Sequence, residues 1–111
     1  MRDLIDVKGA SGAVYRFTLF RDGRPLSPMG GNFIYVREVG DGHEILYIGE
    51  GQNLLTDARQ RWSEAVAMHG DLHLFTRLNI AERTRQQEHV DIAEAVHPAM
   101  NRSTVGGISA G

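Results

Sequence analysis

The stretch that most restricts the fold is NFIYVREVGDGHEILYIGEG, residues 32–51. Residues 32–38 and 44–49 are rich in β-branched and aromatic side chains, which suit a pleated, half-buried surface. Between them Asp41-Gly42 is a strong hairpin signal, because a tight turn between strands needs residues that accept positive φ. The spacing predicts an antiparallel strand pair that carries Tyr35 and Tyr47 side by side. A bland reading is a hairpin whose cross-strand aromatics pack; a sharper one is a reactive centre.

The chain has 111 residues, enough for one domain and one core. A chain of this size buries roughly 60–70% of the surface its unfolded form exposes, so it folds without covalent staples. It has no cysteine, which excludes disulfides and sulfur-ligated zinc and leaves oxygen or imidazole to hold any metal. Charges at Arg2, Asp3, Asp6 and Lys8 interrupt the N-terminus, so no signal peptide or membrane span is expected there and a cytoplasmic location is the default. Twelve Lys and Arg stand against fourteen Asp and Glu, a net charge of −2. Non-specific affinity for nucleic acid comes from releasing counterions at phosphates, so this balance confines any DNA contact to a local patch or to metal ions.

Strands are expected at residues 4–8 and 13–20, joined through Gly9-Ala-Ser-Gly12, followed by a Gly- and Pro-rich connection to residue 31. Asn53 has the side-chain oxygen of a helix N-cap. Leu54, Ala58, Trp62, Ala65, Val66 and His69 then recur at helical spacing until Gly70 stops the helix. Residues 71–78 return to strand, and Asn79 caps a last helix over residues 80–96 that Pro98 ends. The expected fold is α+β: a central antiparallel sheet, with residues 32–38 and 44–49 at its middle, packed with two main helices and preceded by an N-terminal β-hairpin. The divisions are residues 1–31 for the hairpin extension and loop, 32–101 for the main domain and 102–111 for a flexible tail of small residues. His69 and His73 straddle the break at Gly70 and share no helical face, so they make a poor zinc pair. His89 and His97 read as surface residues, and Trp62 as core.

The triplet Phe33-Ile34-Tyr35, the intact Tyr47-Ile48-Gly49, Gln52-Asn53-Leu54, Glu88 in the last helix, and Pro98 with Asn101 fall in an order and spacing that resembles the GIY-YIG nuclease domain over residues 32–101. That resemblance implies a DNA endonuclease using one Mg²⁺ or Mn²⁺ and no small-molecule cofactor. Glu88 would hold the metal, with Tyr35, Tyr47 and Arg61 around the scissile phosphate and Gly49, Asn53, Arg59 and Asn101 in support. The parts suit the chemistry, since magnesium takes oxygen ligands and keeps its waters and a metal with an arginine stabilises growing negative charge.

Two positions depart from the pattern. Asp57 stands where the family carries its helix arginine, and Arg61, one turn on, is the expected substitute. Counted back from Pro98 and Asn101, the glutamate position falls on His89, with Glu88 one residue early, a rotation of about 100° on a helix. On a helical wheel Glu88 shares the face of Ala81, Arg85, Ile92, Ala95 and Val96, where a carboxylate needs a cation, water or metal; Arg85 is the nearest cation along the helix. The alternative reading is a non-catalytic binding module, self-association included, and a third is an unrelated α+β protein. The nuclease reading requires both phenols, Glu88 and Arg61 to converge on one pocket; the binding reading expects Asp57 to pair with Arg61 or to block it.

Overall fold

The structure is a computed structural model that describes residues 2–101. The tail expected over residues 102–111 lies outside the described residues. In chain order the elements are β1 (Leu4–Lys8), β2 (Val14–Leu19), β3 (Gly31–Val39), β4 (Gly42–Gly51), α1 (Leu54–Asp57), α2 (Trp62–His69), β5 (His73–Leu78) and α3 (Glu82–Val96). The strands form one five-stranded antiparallel sheet in the order β1-β2-β5-β3-β4. This is the α+β class that the sequence predicts.

Of the two strands expected at the middle of the sheet, only β3 is interior. It is buried from Gly31 to Val36, with β4 on one side and β5 on the other, the latter paired from Gly31↔Leu78 to Val36↔His73. β4 is an edge strand, and the chain beyond α3 partly covers it. The Asn101 side chain accepts from the Ile48 N–H and donates to the Ile48 carbonyl, each at 2.9 Å, as a neighbouring strand would. The β3–β4 register closes at Val39↔Gly42, and the positive φ of 57° sits at Gly40 rather than at Gly42.

Alternation along β3 and β4 sorts the core into two layers. Phe33, Tyr35 and Tyr47 face Leu54, Ala58, Ala65 and Met100 on one side. Ile34, Val36 and Ile48 meet Phe17, Phe75 and Ile92 on the other. The sheet therefore carries α1 and α2 on its aromatic face and α3 on its aliphatic face.

The single helix expected from Asn53 to Gly70 is broken in two. The Tyr35 hydroxyl enters the gap, donating to the Ala58 carbonyl at 2.9 Å and accepting from the Arg61 N–H at 3.2 Å. In a continuous helix Ala58 would accept from Trp62; here the Trp62 N–H turns to Arg59 at 3.0 Å. A side chain inserted into the ladder is a recognised cause of a helix break.

α3 also starts later than expected, at Glu82 after Ala81, because the Asn79 side chain donates to the Asn32 Oδ1 at 3.0 Å and does not cap. α3 ends on His97 with φ 50°, whose N–H reaches the Ala93 carbonyl, just before Pro98. Among the described residues no helix is long and apolar enough to cross a membrane.

Candidate functional site

Tyr35 and Tyr47 pair across β3 and β4, with ring centroids 5.2 Å apart. Trp62 meets Tyr35 edge-on at 5.1 Å, and the Arg61 guanidinium lies 5.1 Å from the centre of the Tyr47 ring. Three of the four residues expected around a phosphate are therefore together. Their polar atoms are turned inward, however. Tyr35 is fully buried and burial pushes its phenol up to about 12, so it remains a neutral donor tied to the helix break. The Tyr47 hydroxyl accepts from Gln60 at 3.1 Å. Arg61 donates to the Met100 carbonyl at 3.1 Å and to the Glu64 carboxylate at 3.0 Å. That carboxylate holds the Arg61 pKa above its ordinary value, against the opposing effect of burial.

Glu88 is not in this group. It projects from α3 on the aliphatic face, and its carboxylate accepts from the Arg77 Nε of β5 at 2.8 Å. The sheet stands between it and the phenols. The cation that Glu88 meets is Arg77 and not Arg85, because Arg85 is itself buried and bound to Glu50 of β4 at 2.5 Å. Arg85 also donates to the Ile80 carbonyl at 3.1 Å, while its own carbonyl accepts from Asn32 at 3.0 Å. His89, at the position the spacing gives to the metal-binding glutamate, is partly buried. Its Nδ1 has no hydrogen-bond partner among the described residues. Burial lowers its pKa, against a smaller pull from the Glu50 charge.

The residues present do not fit the metal that the resemblance implies. The Glu88 carboxylate is already neutralised by the Arg77 guanidinium, and the neighbouring Asp91 carboxylate is taken up by the Ser11 and Tyr15 hydroxyls. Among the described residues no cluster of three or more histidines and carboxylates could hold an ion.

The expected supporting residues take structural parts. Gly49 faces Phe33 across the strands, and a Cβ there would run into the Phe33 ring; the phenylalanine in the motif's first position thus requires the glycine in its last. Asn53 does cap α1, accepting from the Leu55 N–H at 3.0 Å. Arg59 lies over the Phe20 ring at 4.9 Å, away from the phenols. Asn101 secures the edge of β4. Asp57 is turned to the start of its own helix: it accepts from the Asn53 N–H at 3.2 Å and the Thr56 hydroxyl at 3.1 Å, packed where a Cβ on Gly51 would lie.

Sequence reasoning missed the pairings Arg85–Glu50 and Arg77–Glu88. It also missed the contact that ties the β1–β2 connection to α3, in which Asp91 accepts from the Ser11 hydroxyl at 2.7 Å and the Tyr15 hydroxyl at 2.8 Å. The usable signal was an arginine at a core position of the α3 wheel, since a buried guanidinium requires a carboxylate. Comparison of this chain with family models, with curated proteins and with solved structures finds no match.

Proposed function

We propose that this chain is a binding module on a framework of GIY-YIG type, with the motif residues in structural rather than catalytic use and the strands of residues 1–31 as an added hairpin. The observation that carries this reading is the separation of Glu88 from Tyr35 and Tyr47 by the sheet. Metal-assisted hydrolysis needs the metal ligand, the water-orienting group and the cation within reach of one phosphate. Tyr35 supports the same reading, because both bonds of its hydroxyl are spent on Ala58 and Arg61.

The test is incubation of the purified protein with supercoiled plasmid and with branched DNA in Mg²⁺ and in Mn²⁺, beside Tyr47→Phe and Glu88→Ala. The binding-module reading expects intact DNA in every lane. Nicking by the wild-type protein that either substitution abolishes would overturn it and restore a DNA endonuclease.

A further inference from the structure

The sheet is not evenly knit. β1 and β2 pair from Leu4↔Thr18 to Lys8↔Val14, and β5 pairs with β3 out to Leu78. Between these halves β2 and β5 pair at Thr18↔Thr76 and Leu19↔Phe75, with one further bond from the Phe20 N–H to the Leu74 carbonyl at 2.8 Å. Beyond Thr18 the strands part, and the Arg77 Nη1 reaches the Arg16 carbonyl at 3.4 Å where a ladder bond would otherwise form. On the aromatic face this notch opens into a groove of about 430 Å³ beneath the loop that follows β2.

The chemistry of the groove is one-sided. Arg16, Arg21 and Arg24 line it and no carboxylate does, although the chain as a whole is acidic. Arg16 and Arg21 pair with Asp6 and Asp3 on its outer rim, and all four side chains are about half exposed. Exposed pairs of this kind are weak and exchange readily with a competing anion. Arg24 has no carboxylate partner among the described residues. The floor is apolar, with Leu26 and Leu54 buried and Leu78 left 60% exposed at the open end of β5.

We propose that this groove takes an extended peptide segment of a partner protein with alternating acidic and apolar side chains, laid along the open end of β5. An extended chain sends successive side chains to opposite sides, so carboxylates meet the arginines while apolar groups cover Leu78. Single-stranded nucleic acid fits less well, because it needs aromatic faces on which successive bases stack. The one aromatic ring lining the groove, Phe20, already carries the Arg59 guanidinium.

The proposal rests on the binding-module reading and names its partner. The experiment is a fluorescence-anisotropy titration of the full chain with a labelled peptide of alternating glutamate and leucine, about eight residues long. Its controls are the lysine–leucine counterpart and oligo-dT as competitor. Saturable binding is expected, weakened about tenfold by Arg24→Glu and by Leu78→Ser and retained in Arg24→Lys, with the lysine peptide silent, as charge complementarity requires. Far-UV circular dichroism confirms that each variant is folded. Absence of saturable binding, binding indifferent to both substitutions, or displacement by oligo-dT at lower concentration than by unlabelled peptide would overturn the proposal. Such a failure leaves the binding-module reading standing, because only DNA cleavage removes that.

Discussion

The two faces of the sheet solve the same problem by different means. At full burial the aromatic face, under α1 and α2, holds a neutral group: the Tyr35 hydroxyl bridges the two helices, while Tyr47 takes an amide from Gln60 and the Arg61 guanidinium stays partly exposed. The aliphatic face, under α3, buries charge: Arg85 is locked on Glu50, and Arg77 on a Glu88 that is nearly covered. A neutral hydrogen bond contributes about 1 kcal/mol net. A buried ion pair is not a large net gain over an apolar pair, yet removing one partner strands the other charge. The two faces should therefore differ less in what their contacts add than in what is lost when one is cut.

The sharpest way to break this contrast is Arg85→Met. It leaves Glu50 without its cation and the Ile80 carbonyl without its donor, and should cost about 3 kcal/mol in urea unfolding. A loss under about 1 kcal/mol would mean that water serves Glu50 as well as the guanidinium does. On the other face Tyr35→Phe keeps the ring and deletes the hydroxyl, leaving the Ala58 carbonyl and the Arg61 N–H unmatched, for a cost of about 1–3 kcal/mol. Tyr47→Phe, which frees the Gln60 amide and a contact of the Arg61 guanidinium, both near the surface, should cost less than about 1 kcal/mol. Equal costs for the two phenols would deny Tyr35 its special place.

His89 gives the aliphatic face a dependence on acid through a partly buried imidazole. Burial holds the imidazole pKa below its ordinary 6.5, so the folded state prefers the neutral ring. That contribution is fully present above pH 6.5 and is lost as the pH falls through the lower folded value. Replacing His89 with Gln should flatten the acid limb of the Tm-against-pH curve, whereas Tyr35→Phe should leave that limb unchanged in shape. The smallest expected effect is a gain. His97 holds a left-handed conformation at the end of α3, and His97→Gly should stabilise by about 0.5–1 kcal/mol.

How much of this was legible depended on how local the cause was. Strands β3 and β4 followed from residue type and one turn, and Asn53 capped α1 as its side chain suggests. The break between α1 and α2 could not be read from the helix itself, since Leu54, Ala58, Trp62 and Ala65 keep good helical spacing; its cause is a hydroxyl arriving from β3. Asn79 has the chemistry of a cap but found a stronger claim in buried Asn32. Glu88 was expected to need a cation, water or metal; the nearest cation along the helix was already taken by Glu50, and the partner came from β5. The likeness of the motif extended to order and spacing but not to placement: Tyr35 and Tyr47 lie on one side of the sheet and Glu88 on the other, because α3 packs where Ile34 and Ile48 point.

The asparagine clasped to Ile48 bears on how copies of this chain could join. A fibre growing strand by strand needs two receptive borders on every molecule, one to offer and one to accept. Here the Asn101 amide occupies the β4 border at Ile48. A copy adding a strand along β4 would first have to displace that amide.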